Sequence, residues 1–122
     1  MEKEKFSLRK RASSFKYAFD GIIHFFSTQH NAIIHAVATI AAVALSIYLP
    51  ISSMQVLFVI VAIGLVWMAE LFNTAIEQLC DMVCAEQHPQ IKLIKDLAAA
   101  AVLVTAIVAL ATACIIFIPA II

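Results

Sequence analysis

The sequence predicts an all-α membrane protein, with one N-terminal helix on the membrane surface and three helices that cross the bilayer. The chain has 122 residues, of which 64% are hydrophobic and only 13% are charged. A soluble domain this short would leave much of that apolar surface in water. Three stretches are also long and apolar enough to cross a hydrocarbon core of about 30 Å. Lipid offers no partners to loose backbone groups, so helices are expected rather than open strands.

The first element covers residues 6–28 and is expected to be an amphipathic surface helix. Its sequence mixes phenylalanines with the basic residues Arg9, Lys10, Arg11 and Lys16. Basic side chains favour anionic headgroups, and phenylalanines favour the boundary with the acyl chains. Simple attachment to the membrane explains this helix as well as a functional role does.

The three membrane spans are expected at residues 31–49, 53–83 and 92–118, within one domain of residues 1–122. The sequence "PISSM" turns the chain after the first span, and "AEQHPQIK" connects the second span to the third. The second span is longer than the hydrocarbon core is thick, so its last turns should leave the membrane. No cleavable signal peptide is expected, because no compact apolar run with a small-residue cleavage site follows the basic N-terminus.

The eight basic residues lie in two regions, the N-terminal segment and the connection before the third span. They are Lys3, Lys5, Arg9, Lys10, Arg11, Lys16, Lys92 and Lys95. Positive charges favour the cytoplasmic side of a membrane. We therefore expect the N-terminus in the cytoplasm, and the turn at Pro50 and the C-terminus outside. This orientation agrees with an odd number of spans.

Alanines are frequent in the first and third spans. Small side chains let helices approach closely in lipid. Three thin helices form a poor container for carboxylates at membrane depth, so the sequence also predicts a homo-oligomer.

A polar stripe follows the apolar part of the second span, in the sequence "WMAELFNTAIEQLCD". At about 100° per residue, five of its side chains fall within a sector of about 100°. These residues are Glu70, Asn73, Thr74, Glu77 and Asp81. Carboxylates at membrane depth are costly without partners. Three of them on one stripe indicate a bound divalent cation, basic partners or carboxyl groups that stay protonated.

The residues expected near this stripe favour phosphoryl transfer from a nucleotide. Lys95 and Asp96 begin the third span, and Gln29 precedes the first. Mg²⁺ prefers one or two carboxylates together with phosphate oxygens. A metal ion and a lysine offset the charge of a transferred phosphoryl group, and a carboxylate accepts the proton of the acceptor hydroxyl. Gly21 and Gly64 are the only glycines, so the sequence has no glycine-rich phosphate loop.

Other interpretations fit parts of this pattern. Taken singly, Asp81, Glu86 and Lys92 are better explained as charged residues at a helix end in interfacial water than as members of an active site. A small proton- or ion-conducting subunit would use Glu70 and Glu77 as a relay. Against the relay, the carboxylates lie toward one side of the membrane, and the outer halves of the spans lack ionisable groups. No feature predicts a nucleic-acid partner.

The stretches "AELFNTAIEQLCD" and "KDLAAAAV" resemble the prokaryotic diacylglycerol kinase family, which includes the undecaprenol kinases. The family signature E-x-x-N-[ST]-A-I-E-x-x-x-D is complete from Glu70 to Asp81, and "SFKYAFDGI" and "HNAIIH" extend the resemblance over nearly the whole chain. The resemblance implies a homotrimer in the bacterial cytoplasmic membrane, with active sites shared between subunits. It also implies that ATP and Mg²⁺ are used to phosphorylate the primary hydroxyl of diacylglycerol or undecaprenol at the cytoplasmic interface.

The resemblance also implies individual roles for residues that match the family motifs. Glu70 would be the base that accepts the lipid hydroxyl proton, and Glu77 would be a Mg²⁺ ligand. Asn73 would hold phosphate or the lipid headgroup, and Lys95 would pair with phosphates. The residues implied on the nucleotide side are Tyr17, Asp81, Lys95 and Asp96.

Two positions bear on metal use and on the acceptor lipid. Gln29 stands where the family usually has a second metal-binding glutamate, and a glutamine carbonyl contacts Mg²⁺ without adding negative charge. The resulting hypothesis is lower metal affinity, or a weak or inactive family member. His35 accompanies family members that act on undecaprenol, which favours that acceptor. A neutral buried histidine with a partner is the simpler interpretation of His35.

Overall fold

The computed structural model describes residues 4–122, so Lys3 of the basic N-terminal group lies outside the described residues. Four α-helices, and no strand, occur in residues 4–122. They are α1 (Leu8–Thr28), α2 (His30–Tyr48), α3 (Ser53–Val83) and α4 (Pro89–Ile121). The helices α2, α3 and α4 are long and apolar enough to cross a membrane. The prediction of an all-helical protein with three apolar spans is confirmed.

The chain divides into two compact units after Ile33. The first unit contains α1 and the first residues of α2. Ser7 caps α1, because its side-chain oxygen accepts a hydrogen bond from the Lys10 backbone N–H over 3.4 Å. The helix ends at Gln29, whose extended backbone stops the helical pattern before α2 begins.

The second unit contains the rest of α2 together with α3 and α4. A capping box fixes the start of α3. The Ser52 side chain accepts from the Gln55 N–H over 3.2 Å, and the Gln55 side chain accepts from the Ser52 N–H over 2.9 Å. α3 has 31 residues, and at 1.5 Å per residue it is longer than a hydrocarbon core of about 30 Å.

α4 extends beyond the predicted bounds of 92–118 at both ends. At its start, His88 Nδ1 accepts a hydrogen bond from the Gln90 N–H over 3.1 Å. Pro89 occupies the first turn, where proline loses no helical hydrogen bond. At the other end, Pro119 lies inside the last turn, and α4 ends two residues later at Ile121; proline removes one backbone donor and crowds the preceding turn.

The core of the second unit lies where α3 and α4 pack along each other. Its buried residues are Val59 on α3 and Ile116 and Phe117 on α4. Partly buried side chains pack around them: Ala42, Leu49, Ile51, Ile63 and Ala113. The core therefore lies toward the Ser53 end of α3, and the polar residues lie toward its Val83 end.

Candidate active site

The inner face of α3 changes from apolar to polar at Glu70. Buried residues recur along α3 at the spacing of one helix face, and they include Val59, Ala62, Val66, Glu70 and Thr74. Glu70 is at least as inaccessible as the core residues Val59, Ile116 and Phe117, with 4% of the residue exposed. The Glu70 carboxylate thus lies on the same buried face of α3 as the apolar residues that pack in the core.

Glu70 is hydrogen-bonded across the helices to His35 on α2. The distance between Glu70 Oε1 and His35 Nε2 is 2.6 Å, and both side chains are largely shielded from solvent. A buried carboxylate needs such a donor, because it has lost its hydration. When Glu70 is ionised, His35 Nε2–H donates this bond. The partner expected for a buried His35 is therefore Glu70.

A second contact joins the same two helices one turn away. Trp67 Nε1–H donates to Thr39 Oγ1 over 2.9 Å, and the Thr39 hydroxyl donates to the His35 carbonyl oxygen over 2.7 Å. The Trp67 ring also meets the His35 imidazole edge-on, with ring centroids 6.2 Å apart and planes at 62°. We call the pairs Trp67–Thr39 and Glu70–His35 the α2–α3 ladder.

Asn73 and Glu77 continue the polar stripe on the next turns of α3. Asn73 Nδ2 donates to Glu77 Oε1 over 3.3 Å. Asn73 Oδ1 is buried and has no hydrogen-bond partner within residues 4–122. An unpaired buried oxygen of this kind lowers the stability of the fold by about 1–3 kcal/mol. Such an oxygen is expected where a ligand binds and supplies the missing partner.

These oxygens fit a magnesium ion. Mg²⁺ binds through one or two protein carboxylates and takes its remaining ligands from phosphates and water. Glu77 supplies a carboxylate, and the unpaired carbonyl of Asn73 lies beside it. In the part of the chain that the structure describes, no group of three or more His, Cys, Asp or Glu side chains is placed to hold a metal. An ion at this position would therefore draw most of its ligands from substrate and solvent.

The charged residues at the ends of α3 and α4 are paired. Lys95 Nζ lies 2.7 Å from Asp81 Oδ1, and Lys92 Nζ lies 2.6 Å from Asp96 Oδ2. All four side chains are substantially exposed, so each pair contributes little stability and exchanges partners readily. Lys92, Lys95 and Asp96 also line a cleft of about 550 Å³ against the connection between α3 and α4.

Tyr17 and Gln29 belong to the first unit. Tyr17 is exposed on α1, and the backbone N–H of Gln29 donates to Phe25 O over 3.0 Å at the end of that helix. The remaining predicted site residues all lie in the second unit; they are Glu70, Asn73, Glu77, Asp81, Lys95 and Asp96.

Sequence reasoning missed the roles of Thr39 and Trp67 as contacts between helices. The available signal was spacing: Thr39 lies one turn from His35, and Trp67 lies one turn from Glu70. On antiparallel neighbours, such spacing places two pairs opposite each other.

An apolar cavity of about 340 Å³ lies between α2, α3 and α4. Most of its lining is small and apolar, with Ala38, Ala42, Ala109 and Ala113 among the residues. His35, Thr39 and Trp67 also line this cavity, and His35 contacts Glu70, which does not line it.

Comparison with known proteins places the chain in a family. Residues 16–117 match the family model described as prokaryotic diacylglycerol kinase. An undecaprenol kinase of Bacillus subtilis is 33% identical over 112 residues, which are 92% of this chain and 91% of that protein. A diacylglycerol kinase of Synechocystis is 35% identical over 97 residues, 79% of this chain but only 55% of that protein. A diacylglycerol kinase of Escherichia coli is 35% identical over 79 residues, 65% of each chain.

The chain thus spans little more than half of the Synechocystis relative and about two thirds of the Escherichia coli one. Since the family model covers most of the sequence, this protein belongs to the prokaryotic diacylglycerol kinase family.

Proposed function

We propose that this protein is a lipid kinase that transfers the γ-phosphoryl group of ATP to the primary hydroxyl of a membrane lipid. The acceptor is undecaprenol or diacylglycerol, and the reaction takes place at the cytoplasmic interface of the bacterial inner membrane. The observation that carries the proposal is the buried carboxylate of Glu70, with the Asn73–Glu77 pair on the following turns. The family and the names of the relatives support the same activity.

Glu70 is the proposed general base. Its carboxylate accepts the proton of the lipid hydroxyl, while the lipid oxygen forms a bond to the γ-phosphorus of ATP. The bond from that phosphorus to the oxygen of the β-phosphate breaks, and ADP leaves. Burial of Glu70 suits this role, because the hydroxyl that it deprotonates belongs to a lipid and also lies away from bulk water.

Glu77 would hold Mg²⁺, with Gln29 as a further oxygen ligand. Asn73, for which the resemblance implies a contact with phosphate or the lipid headgroup, would also offer its unpaired carbonyl oxygen to the ion. Bound there, Mg²⁺ would neutralise charge on the phosphate oxygens. The residues of the chain supply the rest of the binding. Glu77 contributes its negative charge, and the Asn73 carbonyl gains the partner that it lacks in residues 4–122.

The proposed nucleotide contacts are Tyr17, Asp81, Lys95 and Asp96. Lys95 would exchange its contact with Asp81 for a phosphate oxygen, which its exposure permits at small cost. Asp81, released from Lys95, would then accept hydrogen bonds from the nucleotide. A site built in this way uses side chains on helices in place of a glycine-rich loop.

The proposed assembly is a homotrimer whose sites are shared between subunits. Each subunit would lie with its N-terminus in the cytoplasm and its C-terminus outside, with α1 as an amphipathic helix on the cytoplasmic surface. The distribution of basic residues supports this orientation. Exposed alanines on α2 and α4, such as Ala41 and Ala101, give neighbouring helices room to approach.

Undecaprenol is the proposed preferred acceptor. His35, which accompanies family members that act on undecaprenol, contacts the proposed base directly. The undecaprenol kinase of Bacillus subtilis also matches this chain over 91% of its own length.

The test is phosphate transfer from labelled ATP by the purified protein in mixed micelles, with each lipid offered separately. Glu70→Gln should abolish transfer while the protein stays folded. Glu4→Gln, at an exposed glutamate on the N-terminal side of α1, is the matched control and should retain activity. If the folded wild-type protein transfers phosphate to neither lipid, the kinase proposal is wrong and an inactive member is indicated. Proton flux in liposomes without transfer would indicate the ion-conducting alternative.

A further inference from the structure

The α2–α3 ladder has two rungs with matched spacing on both helices. His35 and Thr39 are one turn apart on α2, and Trp67 and Glu70 are one turn apart on α3, in antiparallel order. Residues spaced in this way lie on one helix face. Because both rungs are hydrogen bonds, sliding or rotating either helix would break both together.

We propose that His35 is a positioning residue for Glu70, a role that rests on the kinase activity proposed above. The hydrogen bond from His35 holds Oε1 of Glu70 and thereby directs Oε2 toward the acceptor hydroxyl. Thr39 and Trp67 form the second rung, which keeps His35 opposite Glu70.

The physical reason lies in the freedom of a glutamate side chain. Three rotatable bonds separate the Glu70 carboxylate from the backbone, so an unheld carboxylate samples several rotamers. A general base works only when it lies within hydrogen-bonding distance of the proton it removes. The 2.6 Å bond from His35 fixes one oxygen from a neighbouring helix, and the imidazole is itself held on a rigid element.

The second rung acts on His35 in two ways. The Thr39 hydroxyl donates to the His35 carbonyl oxygen and accepts from Trp67, so it ties the backbone at His35 to α3. The Trp67 ring lies edge-on against the imidazole and limits its rotation. Catalytic groups need such support, since a displacement of about 1 Å costs about a hundredfold in rate.

The first pair of variants tests His35 directly. His35→Ala should lower kcat about a hundredfold and leave the KM for ATP unchanged, because the nucleotide contacts are elsewhere. His35→Gln keeps an N–H donor at a similar reach and should retain most of the activity. A residue needed only for folding would show neither the split between kcat and KM nor rescue by glutamine.

A second pair of variants tests the other rung. Thr39→Val removes the hydroxyl that joins the helices and should lower kcat several-fold. Thr112→Val is the matched control, because the Thr112 hydroxyl also donates to a carbonyl oxygen one turn back, over 2.8 Å, and also lines the apolar cavity. That control should behave like the wild type. The double variant of His35→Ala with Thr39→Val should lose no more activity than His35→Ala alone, since Thr39 acts through His35.

The outcomes separate this inference from the proposed function. If the wild-type protein shows no transfer, the kinase proposal falls and the positioning role falls with it. If the wild-type protein is active, equal losses in His35→Ala and His35→Gln overturn the positioning role alone. Additive losses in the double variant, or wild-type kcat in His35→Ala, overturn it as well. Size-exclusion profiles and unfolding midpoints of every variant verify that the protein is folded.

Discussion

Replacing Asn73 by leucine should make the protein more stable and less active at the same time. The unpaired carbonyl oxygen of Asn73 is buried, and removing it should recover about 1–3 kcal/mol. The bond from Asn73 Nδ2 to Glu77, at 3.3 Å, is lost in exchange, and such a bond contributes about 0.5–1.5 kcal/mol. Leucine has a similar branched shape, so the expected net gain in unfolding free energy is about 1 kcal/mol.

Unfolding in detergent micelles provides the assay, followed by the fluorescence of Trp67, the single tryptophan of the chain. The first measurement is made without Mg²⁺ and nucleotide. The second adds Mg²⁺ with a non-hydrolysable ATP analogue. At a ligand concentration a hundredfold above Kd, binding adds about 2.7 kcal/mol to the wild-type protein. Because Asn73→Leu loses a ligand to phosphate or metal, it should gain less, and the order of stabilities should reverse.

Asn31→Leu is the control for this substitution, since Asn31 is exposed and its replacement should change the unfolding free energy by less than about 0.5 kcal/mol. If Asn73→Leu is less stable than the wild type without ligand, the Asn73 carbonyl already has a partner and the argument for a ligand fails. Full retention of transfer activity by Asn73→Leu would refute it equally.

Three other substitutions address the nucleotide, the metal and the assembly. Lys95→Met should raise the KM for ATP with little change in unfolding midpoint. Lys10→Met, which breaks an exposed pair with Glu4, is the control and should leave that KM unchanged; equal effects would remove Lys95 from the nucleotide site. Gln29→Glu should raise transfer activity at low Mg²⁺ by restoring a charged ligand, and an unaltered Mg²⁺ dependence would contradict that role. A Cβ at Gly64 meets no atom within 4 Å, so Gly64→Ala should raise the unfolding free energy by up to about 1 kcal/mol; a loss of stability would indicate that a second copy packs there.

The sequence predicted the helices well, because each span is defined by a long apolar run. The start of α3 follows from its capping residues, Ser52 and Gln55, which are readable in "ISSMQ". The early start of α4 was missed. Its cap is His88, a residue type that local rules do not favour at this position, and the polar stretch before Lys92 therefore predicts a loop.

The sequence predicted which residues form the polar stripe of α3, but it did not predict which residues of other helices pair with them. Helical periodicity places Glu70, Asn73 and Glu77 on one face, yet it does not say which residue of a neighbouring helix lies opposite each of them. That information depends on the register of α2 against α3, which the turn and the packing around Val59 set together. The partnership of Glu70 with His35, and that of Asp81 with Lys95, therefore emerged only from the structure.

α3 passes without interruption from the core residue Val59 to Asp81. The helix therefore fixes the distance and the angle between the packed core and the polar residues of the candidate site. Inserting one residue between Val59 and Glu70 would advance everything beyond it by about 1.5 Å and turn it by about 100°. Glu70 would then leave His35 and face outward. Substitutions on the outer face of this segment leave the spacing of Val59 and Glu70 intact, whereas a change in its number of residues alters that spacing. Evolution of this protein is thus expected to vary the composition of α3 and to conserve its length.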